Sequence, residues 1–571
     1  MPLKMGWGFF DWSNNMRKLL LCSFAVLFLT CCEMQSQNVG MFIVHQTDSL
    51  DKVQPLDTPK VRASGISYVI KIRNQEQFEQ MNAMIADAIH AGRKNIVVKI
   101  GRGTYQFHEN HISLGKLDKR EVSITVKGRN TVITSDENYS DDSYDLSPWG
   151  ELRTADGLIV VVNEKQKLCK IPFRNNMTAE EVTACKQVQI TQWYRAPVYQ
   201  IEKMDNSGIY FYASELEYLE RFGRKGYNVN YDYLYAGKTP RFRLYDTRKE
   251  RPCKASCFLK FSNITVNSFT LQGINFRGSK VGAPLITMSS VDAAKVEIRN
   301  CTFDGIRDRV ASFSGTGNVV FDRNKVTHTY GNELSFNGGC KNVRVTSCEF
   351  KDCGTGLDNT MCVRCNGAEY YIAKNSFCNF GYCAIGVGLW HGHDKKHDIR
   401  GIIEHNEIYF TPAYFVHRDQ YTLMDAGAIY IWTQNDDAII RYNYIHDYGG
   451  MRYNSGIYCD DGASNCKIYG NVILNTPDGC SISSRRVKDQ KSSFKNNANN
   501  FMAGNVVDGE VVFAGYGTEE RHCVKGPNYV VKGSHDTLPE NKIENLETNV
   551  EDVVVQSVQE VKKLKELMWF K

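Results

Sequence analysis

Three aspartates beside runs of alternating apolar and polar residues are the side chains best suited to acid–base chemistry. Asp460 and Asp461 follow the strand-like start of NSGIYCDDGASN, and Asp425 precedes GAIYIW. An acid that protonates a leaving group and a carboxylate that acts as base or nucleophile form the pair required to cleave a glycosidic bond. Such a pair works only if the fold brings the two segments side by side.

A repeat in the second half of the chain predicts how these segments are positioned. The repeating unit has eight positions: an apolar residue, any residue, an apolar residue, two further residues, Asn or Cys, any residue and a final apolar residue. Successive copies lie 23 to 37 residues apart. The sixth positions of the copies are Ile274, Cys301, Asn324, Cys348, Asn375, Asn406, Asn443, Asn471 and Asn505. The unit is too short for a propeller blade and alternates with the period of a strand, so it predicts a solenoid of strands.

An Asn at the same point of each coil can bond to its neighbours in adjacent coils, and it tolerates the left-handed backbone of a sharp bend. The pattern resembles the asparagine ladder of right-handed parallel β-helices, the pectin-lyase-like fold, from Phe261 to Phe513. The resemblance implies an all-β protein, a parallel β-helix solenoid with an N-terminal capping helix and an inserted β-rich domain.

Changes of sequence pattern along the chain predict how it divides into segments and domains. Helical spacing of Phe78, Met81 and Ile85 predicts the cap, the ladder disappears in 140–260, and helical spacing from Val554 to Leu567 predicts a second cap. The predicted segments are an export segment (1–32), a linker (33–66), the cap helix and first coils (67–139), an inserted β-rich domain (140–260), the β-helix with its cleft (261–515) and a tail with a capping helix (516–571).

The N-terminal segment has the features of an export signal. Basic residues precede an apolar run from Leu19 to Leu29 that is too short to span a bilayer, and cysteines follow. The run Leu-Thr-Cys-Cys resembles a bacterial lipoprotein processing site with Cys32 as the lipidated residue; the alternative is a secretory signal cut near Gln37. We expect an exported, outer-membrane-anchored lipoprotein, periplasmic or at the cell surface.

Composition limits the partners. The 571 residues carry 69 basic and 64 acidic side chains, a net charge of +5 without a long basic run, which argues against nucleic acid. Nineteen cysteines in a chain large enough for its own core are expected to be mostly buried thiols. The histidines of the loop His391–His397 are irregularly spaced, so no metal site is predicted.

The ladder serves as a ruler for the strand that opens each coil. Residues eleven positions before the ladder should lie on the outer face, because side chains alternate between faces. This offset places Asn337, Arg364, Trp432 and Asp460 in one outward row, with Tyr430 and Tyr458 on the same face. The insertion after GVGLWHGHD breaks the count in the remaining coil, where alternation alone places Trp390 in the row. Exposed aromatic rings flanked by carboxylates suit sugar rings, so these residues are predicted to bind substrate; the alternative is that an inserted loop covers them.

The same ruler separates the two adjacent acids. Asp460 should project outward and take part in chemistry, whereas Asp461 begins a turn next to glycine. Asp425 returns from the longest insertion to the neighbouring coil, which would place it near Asp460. His446 and Glu404 are weaker candidates, either supporting the site or serving as ordinary hydrogen-bonded residues of the coils.

The ordered set MDAGAIYIW, IIRYNYIHD and GIYCDDGASNCKIYGNVILN resembles the active-site half of β-helical glycoside hydrolases, closest to family 141 and less closely family 120. Known members of these families attack fucosyl or xylosyl linkages of plant cell walls. The resemblance implies catalytic roles for Asp425 and for Asp460 or Asp461, a polysaccharide or oligosaccharide substrate, and no cofactor.

Two other functions fit the sequence. One is a polysaccharide lyase acting on a uronic-acid polymer, which resembling families run with a Lys or Arg base and often Ca²⁺, with Arg364 as the candidate. The other is a noncatalytic glycan-binding β-helix, because a repeat needs no active site to be stable.

Overall fold

A computed structural model describes most of the central part of the chain. The described residues are 65–137, 149–163, 165–173, 177–191, 196–213, 241–249, 253–356, 360–388, 401–416, 425–432, 438–449, 454–460, 463–476, 480–485, 500–514, 524–525 and 528–530. Among them, no helix is long and apolar enough to cross a membrane. The predicted export segment with Cys32 lies outside these ranges.

Short helices close the N-terminal end of the solenoid. The elements are β1 (Tyr68–Ile72), α1 (Gln75–Glu79), α2 (Met81–His90), β2 (Asn95–Ile100), β3 (Gly103–Gln106) and β4 (Ile112–Thr134). Asn74 caps α1 by accepting a hydrogen bond from the backbone of Gln77 at 3.0 Å. The apolar stripe of α2 is buried against the first strands, so the helices cover the open end of the core as predicted.

Within the segment predicted as an insertion, the described residues form a second, antiparallel sheet of seven strands. Its elements are β5 (Arg153–Thr154), β6 (Val160–Asn163), β7 (Leu168–Pro172), α3 (Ala179–Ala184), β8 (Cys185–Thr191), β9 (Val198–Asp205), β10 (Gly208–Tyr212) and β11 (Arg241–Asp246). It has its own apolar core, which includes Val188, Ile209 and Phe242.

The remaining elements form the coils. They are β12 (Leu259–Arg277), β13 (Ile286–Arg299), β14 (Thr302–Asp304), β15 (Ala311–Ser314), β16 (Val319–Asp322), β17 (Lys325–Thr327), β18 (Leu334–Asn337), β19 (Val343–Thr346), β20 (Glu349–Cys353), β21 (Met361–Asn366), β22 (Tyr370–Ala373), β23 (Ser376–Phe380), β24 (Cys383–Gly388), β25 (Gly401–Glu404), β26 (Glu407–Tyr409), α4 (Pro412–Val416), β27 (Gly427–Trp432), β28 (Ala438–Arg441), β29 (Tyr444–His446), β30 (Ser455–Cys459), β31 (Lys467–Tyr469), β32 (Val472–Leu474), β33 (Cys480–Arg485), β34 (Phe501–Met502), β35 (Val506–Val507), β36 (Glu510–Ala514), β37 (Val524–Lys525) and β38 (Tyr529–Val530).

Each coil contributes one strand to each of three parallel sheets. Sheet 1 contains β15, β18, β21, β24, β27, β30, β33 and β36. Sheet 2 contains β16, β19, β22, β25, β28, β31, β34 and β37, and sheet 3 contains β14, β17, β20, β23, β26, β29, β32, β35 and β38. The inward side chains of all three form one continuous apolar core, so the predicted parallel β-helix is confirmed.

The polar ladder runs between sheets 2 and 3. The side-chain amide of Asn443 donates to Asn471 Oδ1 at 2.9 Å and accepts from the amide of Asn406, also at 2.9 Å. The left-handed backbone conformation belongs to the residue before each ladder position, such as Tyr442 at φ 56°, and not to the Asn itself as expected from sequence. The Asn is therefore needed for its amide, which satisfies buried backbone groups.

The coils extend further than predicted. The ladder continues from Asn505 to Asn528, whose side chains are 2.9 Å apart, and β37 and β38 add strands beyond residue 515. The expected boundary is wrong because KGPNYV lacks the apolar residue that marks the other copies. The predicted C-terminal helix lies outside the described residues.

All described cysteines are free thiols, and all except Cys253 are buried. Cys348 takes an Asn position in the ladder, where its sulfur accepts from the backbone N–H of Asn324 at 3.4 Å. Cysteine therefore acts in this fold as a small core residue.

The inserted domain packs directly on turns of the solenoid. The amide of Gln189 donates to the carbonyls of Ala196 and Gly356, and the guanidinium of Arg243 donates to Thr355 O and to Gln189 Oε1. Burial lowers the pKa of Arg243 to about 10. These contacts place Ala196 against the outer face of sheet 1.

Candidate active site

Two of the predicted acids lie side by side on the outer face of sheet 1. Asp425 lies two residues before the start of β27, and Asp460 immediately follows the neighbouring strand β30. The two strands are parallel, with Tyr430 opposite Tyr458. Because the strands pair in register, residues distant in sequence reach the same patch of surface.

The hydroxyl of Tyr458 contacts both carboxylates. It lies 2.8 Å from Asp425 Oδ1 and 3.2 Å from Asp460 Oδ1, so these two oxygens can be no more than 6.0 Å apart. The hydroxyl of Tyr430 donates to the other oxygen of Asp460 at 2.6 Å. Asp460 is thus held on both oxygens by tyrosines, and the two acids form one hydrogen-bonded group.

The backbone around each acid is also fixed. Asp425 has a left-handed conformation, φ 60°, and its carbonyl accepts from the hydroxyl of Tyr382 at 2.7 Å. The N–H of Ala426 donates to Asn454 Oδ1 at 3.0 Å, which ties the start of β27 to the next coil. Aspartate tolerates a positive φ, which recurs at the bends of this solenoid, so the conformation orients Asp425 without by itself marking a functional site.

The aromatic residues of the site point away from the solenoid core but are buried. Trp432 is 2% exposed, Tyr430 5% and Tyr458 3%, and they form a separate cluster with residues that include Tyr382, Met361 and Ala196 of the inserted domain. The predicted outward direction is correct, whereas the expected open aromatic face is not. A second layer that includes the inserted domain covers these rings.

Burial keeps the tyrosines in their donor form. Desolvation, followed by the charge of Asp460, raises the pKa of Tyr430 well above its usual value. Desolvation also raises the pKa of Tyr382 well above its usual value, with smaller effects from Cys383 and Asp425. At neutral pH both hydroxyls remain protonated and can donate.

A glycine makes room for the tryptophan. A Cβ on Gly386 would lie 2.8 Å from Cζ3 of Trp432 and would also collide with the sulfur of Met361. The missing side chain lets the guanidinium of Arg364 lie over the Trp432 ring, 5.8 Å from its centroid, across the intervening coil.

The predicted row is displaced at one strand. Arg364 pairs with Ser335 rather than with Asn337, because the turn after β21 has three residues whereas the turn after β18 has five. The side chain remains on the outer face, since the shift is two residues. Asn337 ends β18, and its amide is 3.3 Å from Ser335 Oγ and 3.4 Å from Phe313 O, four coils from Asp460.

Two predicted supporting residues lie on other faces of the solenoid. Glu404 is on sheet 2, where its carboxylate accepts from Arg441 at 2.6 Å and from Tyr371 at 2.7 Å. His446 is on sheet 3, between Asp447 at 2.8 Å and Glu407 at 3.3 Å. Neither can support the acid pair, because each coil turns before and after the ladder position and directs these side chains elsewhere.

The remaining candidates, Asp461, Trp390 and the loop His391–His397, lie outside the described residues. Within the described ranges, no group of three or more His, Cys, Asp or Glu side chains is arranged to hold a metal ion.

Sequence reasoning missed Tyr382, which anchors the backbone of Asp425. The sequence does contain a feature that could have identified it. Tyr382 directly precedes CAIGVG, which forms β24, the neighbour of the GAIYIW strand β27 in sheet 1.

No protein-family model and no curated protein matches the chain. A solved structure described as "Glycoside hydrolase" is 11% identical, with a TM-score of 0.46, covering 82% of this chain and 97% of that chain. The A-module of the mannuronan C-5 epimerase AlgE4 of Azotobacter vinelandii is 12% identical, with a TM-score of 0.31, covering 80% of this chain and 96% of the module.

A complex of XylC with xylose gives 10% identity and a TM-score of 0.30, covering 78% of this chain and 82% of that chain. At these identities and TM-scores the likenesses carry no argument about activity, and the function has to be argued from the site.

Proposed function

We propose that the protein is a glycoside hydrolase that cleaves a glycosidic bond in a complex polysaccharide, with Asp425 and Asp460 as its two carboxylates. The observation that carries the proposal is the hydroxyl of Tyr458, which contacts both acids at 2.8 and 3.2 Å. Plant cell-wall polysaccharides are the proposed substrates, on the resemblance of the surrounding motifs to families 141 and 120.

The tyrosines favour different roles for the two acids. A phenol has one proton, so Tyr458 can donate fully to only one carboxylate. If Asp425 carries a proton, it donates to Tyr458, which in turn donates to Asp460, and every group is satisfied. We therefore assign Asp425 as the general acid and Asp460, oriented by Tyr430 and Tyr458, as the nucleophile or base.

The spacing of the acids favours retention of configuration. Their contacting oxygens are at most 6.0 Å apart, set by the contacts of 2.8 and 3.2 Å to the shared hydroxyl. Retaining enzymes place the carboxyl groups about 5–5.5 Å apart, whereas inverting enzymes leave about 6.5–9.5 Å for a water molecule. In the retaining reaction Asp460 attacks the anomeric carbon while Asp425 protonates the departing oxygen, and water then releases the sugar.

The lyase alternative has less support. A lyase must neutralise the carboxylate of a uronic acid at the cleaved bond, and two adjacent aspartates would repel it. Arg364 is on β21, two coils from β27, and its guanidinium contacts the Trp432 ring rather than the acids. The Ca²⁺ associated with such lyases is therefore not part of the proposal, and the hydrolase needs no cofactor.

Export and anchoring remain part of the proposal. A polymeric substrate requires an enzyme outside the cytoplasm, and the basic-apolar-Cys segment ending at Cys32 supports a lipid anchor. Labelling with a radioactive fatty acid, compared between the wild type and a Cys32→Ser variant, tests the anchor.

The test of the reaction is substitution of each acid by its amide. Asp425→Asn and Asp460→Asn should fold normally, because volume is preserved, and should reduce turnover by several orders of magnitude. Reducing-end release from a panel of cell-wall polysaccharides, with NMR of the first product, measures both rate and stereochemistry. Asp447→Asn, on the exit from sheet 3, is the matched control and should keep full activity.

An unsaturated product would identify a lyase and overturn the proposal. Retained turnover in Asp460→Asn together with loss in Asp461→Asn, at unchanged melting temperature, would transfer the second role to Asp461.

A further inference from the structure

Arg364 has no acidic partner among the residues that the structure describes. Its side chain is partly buried on the outer face of sheet 1, and within the described residues it makes no hydrogen bond or ion pair; its one polar contact is with the face of the Trp432 ring, 5.8 Å away. A guanidinium removed from water without an acidic partner costs free energy that an aromatic ring repays only in part.

Nearby charges do not compensate for this cost. Glu333, which precedes the neighbouring strand β18, is fully buried, and desolvation raises its pKa well above the usual value. Burial, followed by the charge of Arg309, lowers the pKa of Arg364. Among the described residues no acid contacts Arg364, and the charged group that acts on it most is another arginine, Arg309.

Hydrogen-bond donors are in excess there. The indole Nε1 of Trp432 is buried and has no hydrogen-bond partner among the described residues. Buried polar groups are normally paired, so two neighbouring groups that find no acceptor among the described residues, the Trp432 indole and the Arg364 guanidinium, indicate an acceptor supplied from outside them.

We propose that Arg364 recognises an anionic substituent of the glycan, a carboxylate or a sulfate, in a subsite next to the acid pair. This assignment rests on the proposed hydrolase and adds the substrate class. β21 is two coils from β27, about 10 Å at the spacing of neighbouring strands, which places the anion on a sugar beside the one that is cleaved. The acids would repel an anion at the cleaved bond, so the positions of the acids and of Arg364 along sheet 1 fix the register of the polymer.

The experiment compares matched glycans in the inactive Asp460→Asn background, in which bound ligand is not cleaved. The probes are a glucuronate-bearing xylan oligosaccharide with its carboxyl-reduced form, and a sulfated galactan oligosaccharide with its desulfated form. Calorimetry should show about tenfold to a hundredfold tighter binding of one anionic member than of its neutral counterpart, the range for a hydrogen-bonded ion pair. The pair that shows the preference identifies carboxylate or sulfate.

Adding Arg364→Gln should abolish the preference while leaving binding of the neutral form unchanged. The matched control is Arg344→Gln, which removes a similar arginine–ring contact, 4.5 Å over Tyr371 on sheet 2. This variant should keep the preference.

Equal binding of charged and neutral forms in both pairs, including no binding of either, would overturn the assignment. So would a preference that survives Arg364→Gln. Hydrolysis by the wild type is scored separately, so loss of the anion subsite and loss of the hydrolase proposal give different results.

Discussion

Removing one hydroxyl group tests the central geometry of the site. In Tyr458→Phe the two carboxylates lose their shared contact at 2.8 and 3.2 Å, while Tyr430 still donates to Asp460 at 2.6 Å. A hydrogen bond to a charged group contributes about 1.5–3 kcal/mol, and each 1.36 kcal/mol corresponds to a factor of ten in rate. We expect kcat/KM to fall by about tenfold to a hundredfold.

The fold should be preserved in this variant. The Tyr458 ring is buried and lies edge-on to Tyr430 with centroids 5.2 Å apart, a contact that Phe retains. The matched control is Tyr371→Phe, which removes a 2.7 Å bond to Glu404 on sheet 2 and should change stability without changing turnover.

A coupling measurement makes the prediction specific. Initial rates of reducing-end release are compared for Tyr458→Phe, Asp460→Asn and the double variant. If Tyr458 acts through the acid, the two losses are strongly non-additive. A Tyr458→Phe enzyme with kcat/KM within twofold of the wild type, or fully additive losses, would refute the role of the shared hydroxyl.

Three further predictions concern stability, each measured by urea unfolding. Asn443→Leu should lower the free energy of unfolding by about 3 kcal/mol or more, because the amide bonds to both adjacent coils and each buried partner left unsatisfied costs about 1–3 kcal/mol. Unchanged stability would show that the ladder does not stabilise the fold. Arg441→Met should cost about 3–5 kcal/mol because it leaves the buried Glu404 carboxylate without its cation, and a Glu404→Leu/Arg441→Met pair should recover most of this loss. Burial lowers the pKa of His111 from 6.5 to about 4, so on acidification the unfolded chain binds this proton before the folded protein does. The free energy of unfolding should therefore fall by about 3 kcal/mol as the pH drops from 6.5 to 4. A His111→Gln variant with the same pH dependence would contradict this.

Several features of the structure could be predicted from the sequence because they depend on local periodicity. The alternation of apolar residues within each strand and the recurrence of Asn every 23 to 37 residues can both be read from the sequence, and they predicted the coils and the ladder. The proximity of Asp425 and Asp460 followed from the same count. Strands of adjacent coils pair in parallel register, so equal offsets from the ladder give neighbouring positions.

Other features depended on turn lengths and on contacts between distant segments. The turn after β21 is two residues shorter than the turn after β18, which moved Arg364 out of the expected row while keeping its face. The bends at the ladder directed Glu404 and His446 to sheets 2 and 3. No offset from a single ladder position can reveal these directions.

The burial of the aromatic residues was decided by tertiary structure alone. Alternation shows that Trp432 points outward but not what lies above it, and the inserted domain, distant in sequence, supplies Ala196 to that layer. The hydroxyls of Tyr382, Tyr430 and Tyr458 reach the acids because three coils stack in register. The sequence by itself determined the strands and their faces, whereas only packing between coils and domains decided which outward side chains meet, because burial depends on atoms that are far apart along the chain.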